Sequence, residues 1–114
     1  MGAFGPYLRR ATDGYTHWCP ACVEPHWIGD RWKFNGDRDK PTFAPSVKIT
    51  GKQIVVENGK WTGEWKLGPD GKALPYCCHY FLQDGQLRFC SDCTHSYAGK
   101  VVGLPPWPPG FFSD

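Results

Sequence analysis

The chain has 114 residues, a formal net charge of +2 and a pI near 8.2. Its basic residues are scattered, which speaks against a nucleic-acid surface, and no apolar run approaches the roughly 20 residues of a membrane span. Fourteen Gly, eleven Pro and 16% aromatic residues without a long amphipathic repeat predict a mostly β, antiparallel single domain over 1–114 with little helix and a Pro-rich tail at 105–114.

The first residues lack the charged and apolar regions of a signal peptide, so a cytoplasmic location is expected. Met1-Gly2 is a weak myristoylation signal, because Pro6 stands where Ser or Thr is needed. Gly5-Pro6 and Asp13-Gly14 bracket a short edge strand at Tyr7-Leu8. Tyr15 to Trp18 predicts a strand that leads into Cys19-Pro20-Ala21-Cys22, with 23–28 as the return arm. Two Cys separated by two residues can turn both sulfurs onto one ion at about 2.3 Å.

Residues 31–35 alternate like a strand before Asn35-Gly36. In 39–47, Pro41 and Pro45 remove amide donors and bias their predecessors toward extended geometry, which predicts a stiff loop delivering Ser46 into a strand over 47–50. Gly51-Lys52 is expected to turn into a strand over 53–57, and Asn58-Gly59 into one over 60–67. Packing is the expected role of Trp61 and Trp65 there. A loop over 68–75 follows. Later, 94–99 predicts one helical turn, 100–104 a strand, and 105–110 an extended tail that packs through Trp107 or protrudes.

Between them lies Tyr76 to His95, where Asp84-Gly85 suits a type I′ turn and predicts a β-hairpin of fixed register. Leu82 then faces Leu87, Tyr80 faces Phe89, His79 faces Cys90, and Cys77 faces Asp92 if the ladder continues. Alternation puts Leu82, Tyr80, Leu87, Phe89, Cys78 and Cys93 on one face. Phe81, Arg88, His79, Cys90, Cys77 and Asp92 take the other.

Six Cys without a secretion signal favour metal over disulfides, although disulfides or buried thiols stay open. Spacing alone pairs Cys19 and Cys22 with Cys90 and Cys93 as a zinc ribbon, but the register turns Cys90 away from Cys78. The expected Zn2+ ligands are therefore Cys19, Cys22, Cys78 and Cys93, with Cys90 or His95 as alternatives. Such a closed shell would be structural. His17 and His26 are expected to support the ligands from behind.

Acyl transfer needs a nucleophile, a base and a group that orients the base. His79 and Asp92 share the face without Cys78, and Ser46 is the serine in the stiffest setting. Periodicity alone favours a plainer reading, with His79 as a zinc ligand or sheet residue and Ser46 as a strand-start hydroxyl. His95 is a second candidate base. A non-enzymatic zinc-ribbon-like interaction module and thiol chemistry at Cys77 or Cys90 are the rival functions.

Taken jointly, Cys-Pro-Ala-Cys at 19–22 with His26, Asn35-Gly36, the run from Lys40 to Val47, Cys78-His79 before Asp84-Gly85, and Asp92-Cys93-Thr94-His95 with Ala98-Gly99 resemble one small family of phage and bacterial proteins. Its members are often mislabelled ammonia monooxygenases, and some occur in bacterial ubiquitin-like (Bub) operons as BubE-type peptidases. The resemblance extends from Trp18 to Trp107, while Cys77 and Cys90 stand outside the family pattern. It implies a cytoplasmic serine peptidase acting on the C-terminal tail or conjugates of a ubiquitin-like protein. Ser46 would be the nucleophile, His79 the base and Asp92 its orienting partner, with zinc on Cys19, Cys22, Cys78 and Cys93. An extended tail would suit a strand edge or aromatic walls built from Trp27, Trp32, Trp61 or Trp65.

Overall fold

Turn residues interrupt β-branched and aromatic runs every few positions, and the chain answers with strands. A computed structural model describes residues 3–58 and 60–109, with the backbone alone at Trp61. The Met1-Gly2 signal, Gly59 of the Asn58-Gly59 turn, the Trp61 side chain and the tail from Gly110 onward lie outside the described residues.

The strands are β1 (Ala3–Phe4), β2 (Leu8–Ala11), β3 (Gly14–Cys19), β4 (Glu24–Gly29), β5 (Lys33–Phe34), β6 (Phe43–Lys52), β7 (Ile54–Glu57), β8 (Lys60–Trp65), β9 (Pro75–Gln83), β10 (Gln86–Phe89) and β11 (Val101–Gly103). All pairings are antiparallel, and no helix occurs among the described residues. One sheet runs β1-β2-β3-β4, a second β11-β10-β9-β6-β5, and β7 and β8 form a two-stranded ribbon.

The central hairpin follows the turn chemistry. Asp84 and Gly85 both sit at positive φ, 50° and 72°, as a type I′ turn demands. The register is the expected one, with Leu82 on Leu87 and Tyr80 on Phe89. Alternation along β9 therefore sends Cys78, Tyr80 and Leu82 inward, each fully buried. There they join Phe43, Val47, Leu87 and Phe89 and meet Leu8, Cys19 and Ile28 from the other sheet. Each large apolar side chain so buried contributes about 1.5–3 kcal/mol. An aromatic stack closes one end of this interface, with the Phe34 and Phe43 centroids 4.4 Å apart and Tyr15 against both. Cys and His side chains fill the other.

Several elements depart from the sequence expectation. Strand β6 starts earlier and ends later than 47–50, because Gly51 and Lys52 stay paired with Tyr76 and Pro75 instead of turning. Residues 94–99 make isolated turns and no helix. The Gly99 amide donates to the Phe89 carbonyl and the Phe89 amide to that of Lys100, so β10 takes groups a helix would need. Of 31–35, only Lys33 and Phe34 pair. Leu8 begins β2, whereas Tyr7 lies in the turn after β1. The tail packs through Trp107, whose indole N–H donates to the Tyr7 carbonyl at 3.1 Å.

Candidate functional site

Two consecutive residues of β9 point to opposite faces of the second sheet, and a polar cluster surrounds each. On the outer face, His79 lies opposite Lys48 of β6. Between Phe43 and Val47 the register shifts, so four steps along β6 match two along β9. That bulge, at the cis Ala44-Pro45 bond, holds Ser46 beside His79. The Ser46 Oγ is 3.0 Å from His79 Nε2. His79 Nδ1 is 3.2 and 3.1 Å from the two Asp92 carboxylate oxygens. Because a carboxylate only accepts, Nδ1 carries the proton and Nε2 presents its lone pair to the hydroxyl.

Asp92 reaches this position because the ladder stops. The Cys90 amide donates to the His79 carbonyl at 2.8 Å, after which residues 91–93 loop out and the Thr94 amide, not Asp92, meets Cys77. The loop is anchored on His79 itself: the Cys93 sulfur accepts its N–H at 3.2 Å and donates to its carbonyl at 3.1 Å. Lys48 Nζ lies 3.8 Å from Asp92 Oδ2. On the other flank, the Trp32 indole donates to the Ser46 carbonyl at 3.3 Å. The His79 side chain is 23% exposed and Asp92 47%, so the line of three is open to a substrate.

On the inner face, Cys19, Cys22, His26 and Cys78 bring one donor atom each within 4.8 Å of one another. Residues 19–23 form a tight knuckle, closed by the Val23 amide on the Cys19 carbonyl at 2.8 Å. The Cys22 and Cys78 thiols, aided by the Cys22 and Ala21 amides, push the Cys19 thiol down to about 4 against the cost of its burial. Cys78, hydrogen-bonded to Cys19 and Cys22 and desolvated, is driven far upward. The three sulfurs thus lie in contact, with Cys19 and Cys78 buried and Cys22 partly so.

His26 Nδ1 meets the Tyr80 hydroxyl at 3.1 Å, whereas its buried Nε2 makes no hydrogen bond among the described residues and has the Glu24 carboxylate 3.8 Å away. An unpaired buried donor or acceptor costs about 1–3 kcal/mol. One His26 ring nitrogen beside three sulfurs matches the Cys3His set of structural zinc sites, and these residues fit that ion. Polar groups brace the set from behind. Tyr80 also bonds His17 Nε2 at 2.6 Å, Tyr76 meets the Cys22 sulfur at 2.7 Å, and His95 Nε2 lies 3.3 Å from the Cys78 sulfur. Burial, then His26, lowers the His17 pKa to about 3, which keeps it neutral.

Of the expected zinc set, the structure gathers Cys19, Cys22 and Cys78 and leaves Cys93 out. His26, expected only to support the ligands, stands in its place. The Cys93 expectation assumed a continuing ladder, and the loop over 91–93 breaks that assumption. The available signal was Cys-x-x-Cys-x-x-x-His at 19–26, with His26 a few residues past the knuckle on its return strand. His95, the second candidate base, lies with Cys78 and away from Ser46. Cys90 joins the outer cluster, its donor atom within 4.8 Å of those of His79 and Asp92.

The family model of bacterial ubiquitination-like system serine proteases, BubE, matches residues 5–90. The chain belongs to the BubE family. The matched stretch of this BubE member contains Ser46, His79 and all four residues of the inner cluster, and it ends just before Asp92. Membership makes the chain a serine protease of a ubiquitination-like system. No curated protein and no solved structure matches it.

Proposed function

We propose that this BubE protein is a serine peptidase that cuts at the C-terminal tail, or the conjugates, of a ubiquitin-like protein in the bacterial or phage-infected cytoplasm. The observation that carries the reading is the 3.0 Å approach of the Ser46 hydroxyl to His79 Nε2, with Asp92 on the opposite ring nitrogen. As the Ser46 oxygen attacks the scissile carbonyl, His79 takes its proton, and Asp92 stabilises the resulting imidazolium. His79 then gives that proton to the departing amine, which leaves an acyl group on Ser46. Water attacks this ester while His79 again accepts a proton, and the freed carboxylate and the Ser46 hydroxyl are restored.

Cys19, Cys22, His26 and Cys78 would hold Zn2+, whose closed four-ligand shell supplies stability to the single domain. A cleft walled by Trp27 and Trp32, with Asp13, Asp30 and Arg31, is tied to Ser46 through the Trp32 indole on its carbonyl, and would suit an extended tail. Ser46→Ala should abolish cleavage of a ubiquitin-like precursor and leave the zinc content unchanged. Undiminished cleavage would remove Ser46 from the chemistry.

A further inference from the structure

The outer face carries one more reactive side chain that the proposed hydrolysis does not use. Cys90 lies directly after β10, opposite His79, and its sulfur, a His79 ring nitrogen and an Asp92 oxygen all fall within 4.8 Å of one another. Burial, then the charges of Asp92 and Cys77, pushes the Cys90 thiol up. We propose that His79, Cys90 and Asp92 form a second cation site, that it takes a borderline-soft divalent ion such as Zn2+, and that filling it switches the peptidase off.

The donor set is one nitrogen, one sulfur and one carboxylate oxygen, a combination zinc accepts. Ligand atoms in a tetrahedral zinc shell stand roughly 3.3–3.8 Å apart, so modest side-chain rotations close the site. Asp92, 47% exposed, has room to make them. The site is separate from the inner cluster because Cys78 and His79 point to opposite sides of β9, one buried and one partly exposed. Lys48, 3.8 Å from Asp92, competes for the carboxylate and should make binding reversible.

Inhibition follows from proton placement. Nδ1 is the nitrogen that faces Asp92, and a cation bound there occupies its lone pair. The neutral ring then carries its proton on Nε2, which donates toward Ser46 instead of accepting from it. Cys90 releases its proton to solvent as it binds. The inhibitory half of the proposal rests on the hydrolase reading, and the binding half does not.

The test uses the full chain carrying one zinc, titrated with further Zn2+ by calorimetry, while cleavage of a ubiquitin-like precursor is assayed in parallel. Wild type should take up a second equivalent and lose cleavage. Cys90→Ala should bind one equivalent only and cleave normally in added zinc. Asp92→Asn should also lose the second equivalent, which guards against a folding defect peculiar to the Cys90 variant. A wild-type stoichiometry of one, or a second ion bound equally well by Cys90→Ala, overturns the site. Uptake through Cys90 that leaves cleavage unchanged overturns the switch. Cleavage absent even before zinc is added counts against the hydrolase reading alone, because stoichiometry reads the site independently.

Discussion

His79 has two distinguishable nitrogens, and the chemistry depends on which of them holds the proton. Asp92 fixes that choice by accepting at Nδ1, 3.1 Å away. In Asp92→Asn the amide can present an N–H to the same nitrogen, which moves the ring proton to Nε2 and removes the base. We expect kcat on a ubiquitin-like precursor to fall roughly 10²–10⁴-fold with little change in KM, in steady-state assays of a variant that still holds one zinc. The outward orientation of His79 was legible from alternation around Asp84-Gly85. Its meeting with Ser46 was not, because that contact needs β6 beside β9 and a bulge at 44–46, and neither follows from local pattern.

At the level of elements, β9 serves both clusters by presenting Cys78 inward and His79 outward, while the knuckle and β4 complete the inner one. The hairpin register was legible because a two-residue turn fixes it locally. The loop over 91–93 was not, since an antiparallel ladder gives no sign of where it will end. That loop carries Cys93 away from the sulfur cluster and onto the His79 backbone. His26→Ala should accordingly weaken zinc binding by about 100-fold or more, measured by competition with a chelating dye. Cys93→Ala should leave zinc affinity unchanged. The opposite ranking would return Cys93 to the shell and put His26 behind it.

Across the whole molecule, two sheets bury their inner faces against each other, and the sulfurs lie within that interface at the end opposite the Phe34–Phe43 stack. The all-β class was legible from Gly, Pro and aromatic content. The division into three sheets was not, because it depends on pairings between strands far apart in sequence. This arrangement keeps hydroxyl and imidazole on the exposed side of β9, where a substrate can reach them, and keeps the thiols of Cys19 and Cys78 buried. The most direct test is mass-spectrometric mapping of the zinc-loaded chain after reaction with a fluorophosphonate. The adduct should fall on Ser46 and disappear in His79→Ala, with Cys77 and Cys90 unlabelled. No adduct on Ser46 in the folded, zinc-loaded protein would contradict the assignment of the outer face as the active site.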